Sequence, residues 1–282
     1  MRPFRSVLYL PGNKERVLEK AASLPCDVLI IDLEDAVAPD AKDAARDLAI
    51  HAIRNIDYGD RLAMLRVNGP ETPWHEADMA AAGHAPAILL PKVSDAGMLA
   101  AARARLGPGK PLWAMIETCQ AILRMDSIAG AADETGLEGL VVGTNDLAKE
   151  LRCQVDDNRT ALQSALFTVV AAARAYGLVA VDGVCNRLKD EDFLAAECRQ
   201  GAMLGFDGKS LIHPEQIDVA NRIFSPAEAD IVHARAVVEA FEDPANAGKG
   251  VLTVNGKMAE LLHLEEARRI IAVKARIDAL AA

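Results

Sequence analysis

The chain has 282 residues, 51% of them hydrophobic, with a net charge of −10 and a pI near 5.1. That length and apolar content supply a substantial core, in one large domain or two small ones. An acidic chain with no Lys/Arg block is a poor binder of nucleic acid or an anionic membrane, so an anionic substrate needs local Arg or Lys residues, or a cation.

Short apolar runs alternate with helical stretches. A first strand is predicted over 7–10. It leads through Pro11-Gly12-Asn13, with Asn13 as N-cap, into a helix over 14–22. A strand over 28–32 precedes an Ala-rich helix over 41–53. Strands at 62–67 and 87–91 follow. A helix over 95–106 opens on Asp95 and stops before Gly107-Pro108-Gly109. Strands at 112–116 and 140–143 come next, and the longest, most apolar of the helices between the strands, 159–176, stops at Gly177. A strand at 179–181 and a helix at 190–204 lead to a strand at 206–212, which is placed by position because it carries Asp207, Gly208 and Lys209. A helix over 214–224 closes the series.

Most runs are apolar without alternation, as expected of parallel strands covered on both faces. Eight β–α units predict an α/β fold, a (β/α)₈ TIM barrel over residues 1–224. A doubly wound open sheet is the alternative, but Pro11-Gly12-Asn13 is not its GxGxxG fingerprint. Residues 225–282 form a C-terminal helical/hairpin extension: a helix over 228–241, a loop over 243–250, a strand over 251–254 turning at Asn255-Gly256, and a helix over 260–279. This tail is too small to fold alone and is expected to pack on the barrel or reach a neighbouring subunit.

Barrel active sites form where strands run into the loops that follow them. Those positions hold Asp32, Glu34 and Asp35 after the second strand, Arg66 and Asn68 after the third, and Lys92 after the fourth. Glu117, Asn145 with Asp146, Asp182 and His213 follow the fifth to eighth. Glu117 and Asp146 end neighbouring parallel strands and so converge, which suits a hard cation such as Mg²⁺. Alone, the pair reads equally well as a helix cap and a solvent-facing acid. Arg66 is suited to hold a carboxylate bidentately or to stabilise an oxyanion. A strand-end Arg beside three acids is costly to bury without a role. Glu34 is placed either against a metal-bound water or against Arg66, and Asp35 as a helix cap. Lys92 reads as the partner of a neighbouring acid, and His-Pro at 213–214 as a structural helix start.

The five cysteines, Cys26, Cys119, Cys153, Cys185 and Cys198, are odd in number and form no CxxC, so they are read as reduced thiols of a cytoplasmic protein. Cys119 lies near Glu117 with no His beside it, and a packed thiol is expected. The first residues, Met1-Arg2-Pro3-Phe4-Arg5, carry no long apolar run and predict no signal peptide. No stretch is long and apolar enough to predict a membrane span.

Several segments together are similar to the citrate lyase β-subunit/malyl-CoA lyase family of the HpcH/HpaI aldolase superfamily. They are residues 5–13, Asp32 to Val37, Arg66-Val67-Asn68, Gly143 to Leu147, Gly205 to Lys209, Ile212 to Ile217 and Gly256-Lys257-Met258. The resemblance spans nearly the whole chain, in order. It implies a barrel with a C-terminal extension, and Mg²⁺ held by Glu117 and Asp146. It implies an acyl-CoA substrate near Tyr9, Lys14, Lys20, Asn145 and the Ile212-His213 backbone, with Arg66 on the 2-oxoacid carboxylate or thioester oxygen. It also implies an acid/base supplied to a neighbouring subunit from the tail, in a homotrimer or a multiple of one. Family members often carry Asp at the position that holds Glu260 here. Taken without the resemblance, Glu260 is an ordinary acid at a helix start. The activity expected is reversible carbon–carbon cleavage of a malyl-, methylmalyl- or citramalyl-CoA into acetyl- or propionyl-CoA and a 2-oxoacid, with catalytic roles for Arg66, Glu34 and Glu260. The alternatives are malyl-CoA hydrolysis, a citrate lyase β-subunit acting on an acyl-carrier partner, and a CoA-sensing protein without turnover.

Overall fold

A computed structural model describes residues 2–281. Residues Phe4–Phe224 form one compact unit, and residues 225–281, with Arg2 and Pro3, form a second.

The first unit is a closed barrel of eight parallel strands. They are β1 (Ser6–Pro11), β2 (Val28–Asp32), β3 (Leu62–Arg66), β4 (Ala87–Leu90), β5 (Leu112–Ile116), β6 (Leu137–Val142), β7 (Val179–Asp182) and β8 (Gly208–Leu211). Each pairs with the next, and β8 closes on β1 through Leu8↔Leu211. The predicted (β/α)₈ fold is therefore observed.

Successive side chains of a strand point to opposite faces, so each apolar run serves two cores. Leu8, Leu29, Ile31 and Leu65 face the helices and belong to the large outer core. Val7, Val28, Ile30, Met64, Leu89, Trp113, Met115, Val141 and Val181 fill the lumen. Trp113 is the largest buried side chain there, and it dictates a neighbour. A Cβ on Gly139 would meet Trp113 Cζ3 at 2.3 Å, so β6 carries glycine where the indole crosses it. β6 starts at Leu137, three residues before its apolar run at Leu140: Glu138 and Gly139 disguise the start of the strand as a turn.

Two other expectations change. Asn13 does not cap the first helix, Glu15–Ala21. Lys14 holds that position without a side-chain bond, and the Asn13 Oδ1 is buried with no partner. Five short helices, among them Cys119–Leu123 and Thr144–Leu151, escape the apolar pattern because each is too short to repeat it.

The second unit packs helices Glu228–Glu242 and Leu261–Ala281 with a hairpin of β9 (Val251–Val254) and β10 (Lys257–Glu260). Its small core contains Ala234, Val237, Leu252, Val254, Ala259 and Ala267. The turn residues Asn255 and Gly256 have φ of 50° and 76°, as the hairpin dipeptide requires. Glu260 closes β10 and directly precedes the last helix.

Candidate active site

The ends of β2 and β3 bring Asp32 and Arg66 side by side. Arg66 Nε and Nη2 donate to Asp32 Oδ1 and Oδ2, each at 2.7 Å. Its Nη1 lies 2.7 Å from Glu34 Oε2 and 3.6 Å from Asp35 Oδ2. The three acids expected around Arg66 are all present. Asp32 also accepts the backbone N–H of Glu34 at 2.8 Å and of Ala36 at 3.0 Å, which folds the loop over the pair. The guanidinium lies over the Tyr9 ring, 5.0 Å from its centroid. Burial works against the Arg66 cation, but the charges of Asp32 and Glu34 outweigh it and raise its pKa. Burial likewise raises the Glu34 carboxyl against the pull of Arg66 and Lys92, and raises the Tyr9 hydroxyl.

β5 and β6 deliver Glu117 and Asp146, and together these line a cavity of about 410 Å³ with Lys92, Thr118, Lys149 and Arg152. Glu117 is 2% exposed. Its Oε1 accepts the Lys92 backbone N–H at 2.8 Å. Burial pushes its pKa up to about 7, aided by the charges of Glu34 and Asp146. Gly143 makes room for it, since a Cβ there would stand 2.3 Å from Glu117 Oε2. Among the described residues, neither acid forms an ion pair, and no cluster of three or more His, Cys, Asp or Glu could hold a metal. Two carboxylates without an ion-pair partner, facing one cavity, fit Mg²⁺, which is bound through one or two carboxylates and keeps water or substrate oxygens as its other ligands.

The remaining candidates are spread more widely. Lys14 and Lys20 are exposed, at the start and in the last turn of helix Glu15–Ala21. Asn145 is exposed and exchanges side-chain hydrogen bonds with Asn186, at 2.8 and 3.3 Å. The Ile212 and His213 backbone N–H groups both donate to Gln216 Oε1, at 2.9 and 3.2 Å. His213 caps the short helix Pro214–Gln216, so this stretch offers a ligand carbonyls and the 41% exposed Ile212 side chain. In the second unit, the Glu260 backbone N–H donates to His263 Nδ1 at 3.0 Å.

Two buried lysines were not anticipated. Lys42 Nζ donates to Leu33 O, Glu34 O and Asn68 Oδ1, each at 2.7 Å, and so holds the acidic loop from beneath. Lys209 is fully buried between Asp182, 3.2 Å away, and Glu197, 2.6 Å away, while Arg159 grips the far side of Asp182 at 2.7 Å. Asp182 is therefore spent on this network and does not face the site. Both lysines look like ordinary surface charges in sequence, although a Lys inside a β-run, as at 209, was an available signal.

Comparison with known proteins fits this architecture. The model of the HpcH/HpaI aldolase/citrate lyase family matches residues 5–214. A (3S)-malyl-CoA thioesterase of Cereibacter sphaeroides is 50% identical, over 99% of this chain and 96% of its own. An L-malyl-CoA/beta-methylmalyl-CoA lyase of the same organism is 31% identical, over 96% of this chain and 94% of its own. A crystal structure of CitE from Mycobacterium tuberculosis, in complex with magnesium, acetoacetate and coenzyme A, superposes with a TM-score of 0.78 at 28% identity, over 96% of this chain and all of that one. With the barrel, the Arg66 cluster and the paired carboxylates in place, this chain belongs to the HpcH/HpaI aldolase/citrate lyase family.

Proposed function

We propose that this protein is a Mg²⁺-dependent enzyme of malyl-CoA-type thioesters, and that it hydrolyses (3S)-malyl-CoA to malate and free CoA. Hydrolysis is favoured by one observation: over nearly its full length the chain is 50% identical to a malyl-CoA thioesterase and only 31% identical to a malyl-CoA lyase of the same organism. Magnesium held by Glu117 and Asp146 would supply positive charge to the substrate's hydroxyl and free carboxylate. Arg66, fixed by Asp32 and Glu34, stabilises the charge that grows on the thioester oxygen as water adds to the carbonyl. The new C–O bond replaces the C–S bond, and CoA leaves as the thiolate and takes up a proton. Glu260, supplied by a neighbouring copy in a trimer, removes the proton from the attacking water. Lys14 and Lys20 are the cations proposed for the CoA phosphates, with Tyr9, Asn145 and the Ile212-His213 stretch lining the remainder. The cysteines are free, which suits a cytoplasmic enzyme.

A second reading, carbon–carbon cleavage, rests on the family itself and on the likeness to CitE. It uses the same groups. Arg66 stabilises the enolate oxygen of the departing acetyl-CoA, and Glu260 protonates the enolate carbon. Incubating the purified protein with Mg²⁺ and (3S)-malyl-CoA separates the two. Malate with free CoA supports hydrolysis. Glyoxylate with acetyl-CoA replaces it with cleavage, and the absence of both product pairs overturns the malyl-CoA assignment.

A further inference from the structure

Lys92 holds two carboxylates at once, in a conformation few lysines adopt. Its φ is 50°, between Pro91 and the buried Val93. Its N–H donates to Glu117 Oε1, 2.8 Å away, and the left-handed φ turns the chain directly after that donor toward Val93. Its ammonium reaches Glu34 Oε1, and the other oxygen of Glu34 meets Arg66 Nη1 at 2.7 Å. One residue thus joins an acid of the cation pair to the acid that seats the anion-binding arginine. A side chain with a Cβ is unfavourable at positive φ, so the surrounding structure must impose it. The ion pair with Glu34 accounts for the ammonium.

We propose that Lys92 is a positioning residue with two separable actions. Its backbone N–H, held at a left-handed turn, sets the Glu117 carboxylate for the cation, and its ammonium sets Glu34, and through it Arg66, for the anionic substrate. The proposal rests on the Mg²⁺ and acyl-CoA reading above.

Three variants of the full chain separate the actions: Lys92→Gly, Lys92→Val and Lys92→Arg. Glycine takes positive φ freely and keeps the N–H in place, whereas β-branched valine does not. Mg²⁺ binding is measured by calorimetry with no substrate present. The glycine variant is expected to bind Mg²⁺ within about twofold of the parent, and the valine variant about tenfold or more weakly, the usual scale for losing a group that orients a metal ligand. Both lack the ammonium, so both are expected to raise KM for (3S)-malyl-CoA about tenfold, and arginine to restore most of it. If valine does not fold, as judged by thermal melting, Lys92→Thr takes its place. Equal Mg²⁺ affinity in the glycine and β-branched variants overturns the backbone role, and an unchanged KM in the glycine variant overturns the ammonium role. A parent protein that binds no Mg²⁺ removes the metal assignment and the backbone role together, whereas a parent that binds it as all the variants do removes the backbone role alone.

Discussion

Replacing Glu117 by Gln is expected to stabilise the metal-free protein at alkaline pH while abolishing its response to Mg²⁺. Burial, followed by the charge of Glu34, pushes this carboxyl from its ordinary 4.5 up to about 7. At 1.36 kcal/mol per pH unit, that rise corresponds to about 3 kcal/mol held against folding once the group ionises. Between 4.5 and about 7 the folded chain keeps a proton that the unfolded chain releases. The favourable contribution is therefore complete below 4.5 and lost as pH rises through about 7. Glutamine keeps an acceptor for the Lys92 N–H and has no charge to desolvate. Calorimetric melts without metal should place the variant roughly 6–12 °C above the parent at pH 8.5, at about 2–4 °C per kcal/mol for a chain of this size. At about pH 4 the two should coincide. Excess Mg²⁺ should raise the melting temperature of the parent alone. A variant no more stable than the parent at pH 8.5, or a gap that persists at about pH 4, would refute the reasoning.

Two further substitutions probe the frame of the site. Asp32→Asn leaves the buried Arg66 without its bidentate partner and is expected to cost about 3–5 kcal/mol in urea unfolding. A cost below about 1 kcal/mol would mean that Glu34 alone can hold the guanidinium. Gly139→Ala drives a methyl into the Trp113 ring and is expected to cost about 1–3 kcal/mol or more. Adding Trp113→Leu should make the pair less destabilised than the sum of the single changes, and strict additivity would show that the indole is not what the methyl meets.

What the sequence made legible was whatever repeats along the chain. Buried parallel strands are apolar runs, and their ends name the loop residues, so Glu117, Asp146, Arg66 and its acids could all be placed before any coordinates. Pairings across 34 residues, such as Asp32 with Arg66, depend on register, and register emerges only when the barrel closes. Lys42 and Lys209 were missed for a related reason: a buried cation differs from an exposed one only in its partners, and the carbonyls of Leu33 and Glu34 leave no trace in the sequence. Asn13 shows the opposite error. Its residue type suits a cap, yet the helix starts one residue later and leaves the amide oxygen without a donor.

The closure of the barrel also has a timetable. β1 can pair with β2 as soon as residue 32 is made, but its other edge waits for Leu211. At a synthesis rate of about 5–20 residues per second, the roughly 200 residues between Leu8 and Leu211 take about 10–40 s. Throughout that interval Ser6 to Leu8 present an open edge that invites pairing with other chains. The strand that ends the exposure also delivers Lys209 to Asp182 and Glu197, two buried acids that until then have only Arg159 as a cation. Damage to β8 would therefore fall on how many chains finish folding, and far less on what the finished ones can do.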